Sequence, residues 1–233
     1  MWAKEIAIVV VGALIASTLL RLFVAQMFVI PSGSMENTLQ IRDRVMVQKV
    51  AGWSRGDIVV FRDTQGWLAD PAEETDPLRR TLIFIGLAPD ESSNHLIKRV
   101  IGLPGDHVKC CDAQGRITVN GQPLDEGSYL YADSGTAVAP STYTFDVIVP
   151  KNRLWVMGDH RDNSQDSRCH LSEGTDGIAA FIPTADVVGS AVAVVYPFDR
   201  WRTLPRPSTF DNVSAPTAAA LDKPVITGPI PAC

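Results

Sequence analysis

The sequence has no surplus of positive charge. Its 21 Lys and Arg stand against 26 Asp and Glu, a net charge of −5, so it lacks the basic footprint of a nucleic-acid partner. Cysteine is scarce: Cys110 and Cys111 are adjacent, and only Cys169 and Cys233 remain. Neighbouring cysteines do not easily serve one tetrahedral ion. The pattern therefore leaves three readings open: a disulfide from Cys110 or Cys111 to Cys169, free thiols, or a metal site, with the bridge preferred if the body lies in an oxidising compartment. Histidine is equally rare, and neither His95, His107, His160 nor His170 has a sequence context that sets it against a nucleophile. There is no internal repeat, and after Ile30 no apolar run is long enough for a second membrane helix.

What is present begins with one such run. Between Ile6 and Ile30 the only charge is Arg21. As a helix this run would reach about 38 Å, and roughly 20 apolar residues suffice to cross a bilayer. A cleaved leader would have a shorter core followed by an Ala-x-Ala site, and none follows this run, so it reads as a retained anchor over residues 6–27. Lys4 places the short end, residues 1–5, on the cytoplasmic side by the positive-inside rule. Met1-Trp2 leaves almost nothing before the run, which points to a native start upstream.

Residues 28–202 read as one mainly β domain. Strands are expected at 44–50, where Val45 and Val47 alternate with polar neighbours, and at 58–61, 96–101, 145–149, 154–157 and 187–195. Asn120-Gly121 between short β-branched runs marks a hairpin. Residues 63–94 are rich in proline and acid and read as an insertion, with a short helix over 78–87 started by Asp76-Pro77. Residues 203–233 hold Pro, Ala, Thr and Ser without periodicity and read as a flexible tail. Short strands joined by Gly/Pro turns suggest a partly barrel-like set of sheets.

Pro31-Ser32-Gly33-Ser34-Met35 places two hydroxyls on a turn directly after the apolar run. A serine attacks only when a base removes its proton. Lys98 stands among Leu96, Ile97, Val100 and Ile101, an apolar setting unusual for lysine. Burial there would lower its pKa and leave a neutral amine able to accept a proton. From the residues alone, a solvated edge lysine and a Ser34–His160–Asp triad stay open beside this reading.

Four stretches, 31–39, 55–61, 96–108 and 158–168, occur in the order of the sequence boxes of type I signal peptidases, which this chain resembles. They are the serine box, Gly-Asp-Ile-Val-Val-Phe, Lys-Arg-x-x-Gly-x-Pro-Gly-Asp, and Gly-Asp-x-Arg-Asp-Asn-Ser-x-Asp-Ser-Arg, behind a membrane anchor. The adjacent cysteines and the insertion are similar to actinobacterial members. The resemblance implies a β body, a Ser–Lys dyad and removal of signal peptides from exported preproteins after small residues. It implies no cofactor or metal, a monomer, a bilayer as partner and a catalytic domain on the extracytoplasmic face. By the same resemblance Ser34 is the nucleophile, Lys98 the base, Ser32 an oxyanion donor and Ser164 the serine that orients the lysine. Asp166 and Arg168 form a supporting ion pair with Arg99 close by, and Phe28, Ile30, Met35 and Ile97 line the pockets for small residues. Asp57, Asp106 and Asp159 look like turn residues. Self-cleaving regulators of the SOS-repressor type share such a dyad, but the anchor and the missing DNA-binding domain argue against them. One departure from the family pattern is Glu36-Asn37, which follow Ser34-Met35 where many members have Met-Pro; Glu36 reads as pointing to solvent.

Overall fold

The computed structural model describes residues 2–68, 75–78, 81, 94–172, 176–228 and 230. An N-terminal helix α1 (Trp2–Phe23) precedes a body built of antiparallel strands. Residues 4–23 of this helix are long and apolar enough to cross a membrane, with a mean hydropathy of 2.4, and none of them is buried in the protein. Arg21 falls in the last turn, where a cation is favoured by the helix dipole.

The helix stops four residues short of the expected boundary at 27. Ala25–Val29 is instead a strand, β1, paired residue for residue with β2 (Arg44–Gln48). Pairing explains the change: Gln26 and Phe28 fall into register opposite Val47 and Val45, so cross-strand hydrogen bonds and burial of Phe28 outweigh one more helical turn. Only Val24 lies between helix and strand. Lys49 holds this joint, its backbone N–H donating to the Val24 carbonyl (2.9 Å) and its Nζ to the Arg21 carbonyl (3.0 Å) and Gln26 Oε1 (2.8 Å).

The remaining strands are β3 (Ile58–Arg62), β4 (His95–Gly102), β5 (His107–Cys110), β6 (Ile117–Val119), β7 (Gln122–Pro123), β8 (Ala132–Asp133), β9 (Thr136–Ala137), β10 (Phe145–Ile148), β11 (Arg153–Met157), β12 (Ile182–Pro183), β13 (Val187–Tyr196), β14 (Arg202–Thr203) and β15 (Val225–Ile226). The larger sheet runs β1-β2-β13-β3-β4-β11-β12, with β14 added on β13, and a second sheet runs β15-β10-β5-β6-β7. Strand β3 shows why the larger sheet is apolar on both faces: Ile58 and Val60 join one cluster with Phe28, Ile30 and Met35, while Val59 and Phe61 join another with Trp67 and Leu154. A third cluster, around Trp155, Phe145 and Phe181, fills the space between the two sheets. The hairpin turn has positive φ at Asn120 (52°) and Gly121 (78°), the conformation a type I′ turn requires.

The insertion opens and closes at one point, where the Asp63 amide donates to the Asn94 carbonyl (2.6 Å). The helix read at 78–87 lies almost entirely outside the described residues. The segment after residue 202, expected to be a flexible tail, packs instead: β14 pairs with β13, β15 pairs with β10, and Phe210 is buried in the inter-sheet core. Its few apolar residues are spaced as anchors rather than as a periodic stripe, so periodicity misses them. Phe210 covers Gly56 (φ +87°), whose missing side chain makes room for the ring. The cysteine pairing also differs from the preferred reading. Cys110 is bonded to Cys111, at the end of β5, rather than either to Cys169.

Candidate active site

The polypeptide leaves β1 through Ile30 and Pro31 and enters a single 3-10 turn, Gly33–Met35. Met35 is fully buried against Ile30, Leu39 and Ile97, and this anchor fixes the residue before it. Ser34 is thereby held 7% exposed. Strand β4, interior to the larger sheet, delivers Lys98, 2% exposed. The two meet: Lys98 Nζ lies 2.5 Å from Ser34 Oγ, across 64 positions of sequence. Ser32 Oγ lies 3.4 Å from the same oxygen.

Burial brings the Lys98 amine down from 10.5 to about 8, because an ammonium loses its hydration there; Asp166 and Asp159 oppose the fall and Arg168 adds to it. At this value roughly a tenth of the amine is neutral at pH 7. A neutral amine in contact with a hydroxyl can take its proton, and the resulting alkoxide is a nucleophile.

Asp166 and Arg168 form a fully buried ion pair with two bonds of 2.8 Å. Burial raises the Asp166 pKa, but Arg168 and the hydrogen bonds from Arg168 and the Gly158 amide outweigh it, and the carboxyl falls to about 2. Ser164 reaches this group rather than the lysine: its hydroxyl donates to Asp166 Oδ2 at 2.8 Å. Gly158 permits the approach, since a side chain there would collide with both the Ser164 hydroxyl and the Ser34 carbonyl.

Arg99, expected near Asp166 and Arg168, has its own partner. The pleat sends adjacent side chains to opposite faces, and Arg99 makes a two-bond pair with Asp159 (2.8 and 2.6 Å), donates to the Gly56 carbonyl (2.6 Å) and lies 4.2 Å from the Tyr129 ring centre. Asp159 is thus more than the turn residue its context suggested; it also accepts from Thr38 Oγ1 at 2.5 Å, tying the segment after Ser34 to the segment before Ser164. Asp106 is likewise buried in a pair with Arg55 (2.6 Å), while Asp57 caps a turn through the Ser54 amide (2.7 Å). Phe28, Ile30, Met35 and Ile97 all fall in one cluster beside the dyad.

Several residues around the site were not singled out by sequence. Glu126 and Arg161 form a further buried pair (2.5 Å), and Tyr129 donates to the same carboxylate (2.5 Å). Isolated charges in turns carry no periodic signal of burial, although Arg161 lies inside the last of the four motifs. Glu36 does not point to solvent: its Oε2 lies 2.9 Å from His160 Nδ1.

The chain is similar to known proteins along most of its length. The family profile described as "Signal peptidase, peptidase S26" matches residues 2–196. Signal peptidase I of Mycobacterium tuberculosis is 36% identical over 222 residues, covering 85% of this chain and 74% of that protein. A probable signal peptidase I of Mycobacterium leprae is 35% identical over 226 residues, covering 84% and 77%. Signal peptidase I S of Bacillus subtilis is 33% identical over 210 residues, covering 86% and 91%. Matched by the family profile over most of its length and 36% identical to a curated relative, the chain belongs to the signal peptidase family, peptidase S26.

Proposed function

We propose that Ser34 and Lys98 perform in this chain the serine-peptidase reaction of its family, the removal of N-terminal signal peptides from exported preproteins. The contact of 2.5 Å between the buried amine and the hydroxyl carries this reading. Neutral Lys98 takes the proton of Ser34 as Oγ attacks the scissile carbonyl. The Ser32 hydroxyl and the Ser34 amide receive the negative charge that develops on the carbonyl oxygen. The Lys98 ammonium then returns its proton to the leaving amine, and the signal peptide remains esterified to Ser34. A water deprotonated by Lys98 releases it.

Asp166 and Arg168 act on Lys98 with opposite sign, and Ser164 fixes the carboxylate from which one of these influences comes. Phe28, Ile30, Met35 and Ile97 form the floor of small apolar pockets that admit alanine and exclude larger side chains at the positions one and three before the cut. Backbone hydrogen bonds to the substrate, added as an extra strand, serve any sequence. Every group named lies on one polypeptide, so a monomer carries the whole reaction. Helix α1 holds the body at the bilayer, its N-terminus cytoplasmic and residues 28–202 on the extracytoplasmic face.

The test is cleavage of a preprotein by the full chain in detergent. Ser34→Ala and Lys98→Ala each abolish it while the far-ultraviolet spectrum stays that of the parent. Normal processing by either folded variant would sink the mechanism.

A further inference from the structure

His160 stands beside the Ser34 turn but outside the dyad. Its ring is 12% exposed and lies flat on Tyr131, with centroids 3.8 Å apart and planes 21° from parallel. Its own backbone N–H donates to the Ser34 carbonyl (3.1 Å). Its Nδ1 faces two oxygens, the Gly33 carbonyl at 3.2 Å and Glu36 Oε2 at 2.9 Å. A carbonyl can only accept, so Nδ1 carries a proton and donates. Nε2 faces Asp162 Oδ1 at 3.3 Å, which leaves neither nitrogen directed at Ser34 Oγ.

The position of that carbonyl matters because of the peptide bond it belongs to. In a trans peptide the Gly33 oxygen and the Ser34 N–H sit on opposite edges of one rigid plane. Whatever pins the oxygen also aims the hydrogen. The Gly33 oxygen is pinned twice, by His160 Nδ1 and by the Glu36 amide (3.0 Å). The Glu36 carboxylate folds back over Gly33, into the space that a side chain there would occupy, and accepts from the same Nδ1–H. His160 therefore holds both carbonyls that flank the Ser34 α-carbon, one through its ring and one through its backbone.

We propose that His160, oriented by Glu36, is a positioning residue that aims the Ser34 amide at the oxyanion. The inference rests on the dyad reading of the site and deepens it. It gives the Glu36 carboxylate a task that leaves Lys98 undisturbed, and it gives the His160 ring a role other than that of a base.

The experiment compares kcat and KM of the full chain on a signal-peptide substrate, together with the affinity of a peptide aldehyde. The aldehyde adds reversibly to Ser34 and places a tetrahedral oxygen in the oxyanion position. His160→Phe keeps the stack on Tyr131 and the backbone bond but removes the Nδ1 donor. Loss of a whole oxyanion donor costs on the order of 10²–10³ in kcat, and a misaimed one less. The expected result is a fall of about 10–100-fold in kcat, KM within about twofold, and aldehyde affinity weakened by the same factor as kcat. Glu36→Ala should show a smaller loss of the same kind, partly restored in Glu36→Gln, and it serves if the histidine variant does not fold. Wild-type kcat in both His160→Phe and Glu36→Ala, or a rise in KM alone, would overturn the positioning role. Failure of the dyad reading looks different: Ser34→Ala would then still cleave, and the aldehyde would not add to the parent enzyme.

Discussion

Replacing Lys98 with methionine keeps an unbranched stem of similar length and deletes the amine. Activity should vanish, and stability should rise. The amine titrates at about 8 instead of 10.5 because the folded site disfavours the ammonium. At 1.36 kcal/mol per pKa unit this difference corresponds to about 3 kcal/mol of destabilisation when the lysine is protonated in both states. Losing the bond to Ser34 Oγ takes back about 1 kcal/mol. The variant should therefore be about 2 kcal/mol more stable than the parent at pH 7. The sign fixes the pH dependence. Below pH 8 both folded and unfolded chains carry the proton, and the parent bears the whole penalty. Between about 8 and 10.5 the unfolded chain still binds a proton that the folded one has released, so the parent gains stability with rising pH and the gap closes. Urea unfolding of both full chains in one mild detergent, from pH 6.5 to 10.5, measures this directly. A methionine variant less stable than the parent at pH 7, or a gap that stays constant across the range, would refute the account of a lysine held off its ordinary pKa by burial.

The same titration should govern catalysis: kcat/KM rises about tenfold between pH 7 and 9 and levels off above, whereas an amine left at 10.5 would give a rise of about a hundredfold without a plateau. Ser164→Ala should reduce activity only in part and move the inflection of that profile, since Asp166 loses one of its donors; an unchanged rate and profile would remove Ser164 from the site. Phe210→Ala should destabilise the body by about 3–5 kcal/mol in urea unfolding, as expected for a buried aromatic, whereas a flexible tail would leave the midpoint where it is.

The central strands were legible in the sequence because alternation and β-branching speak directly to burial: 44–50, 58–61, 96–101 and 187–195 all became strands of the larger sheet. The Ser34–Lys98 contact was legible for another reason. A lysine amid Leu96, Ile97, Val100 and Ile101 is chemically anomalous, and motif order then joined it to Ser34. What stayed hidden depends on partners distant in sequence. β1 became a strand only because β2 offers it a register, and the end of the apolar run does not reveal this. Asp159 looked like a turn residue because its partners, Arg99 and Thr38, lie 60 and 121 positions away. Glu36 looked solvated because nothing local announces the His160 ring. The packed chain around Phe210 escaped notice because one well-placed ring leaves no periodic trace.

The joint at Val24 has a consequence beyond the fold. A single residue offers about 3.5 Å of reach, and here even this slack is taken up by hydrogen bonds through Val24 and Lys49. The depth at which an apolar helix settles depends on the hydrocarbon thickness of the lipid around it. With no tether to extend, Ser34 takes its altitude from α1, and the bilayer becomes a ruler for the reaction. On the function proposed above, which peptide bond meets the serine is then decided jointly by pocket size and by the length of the surrounding acyl chains.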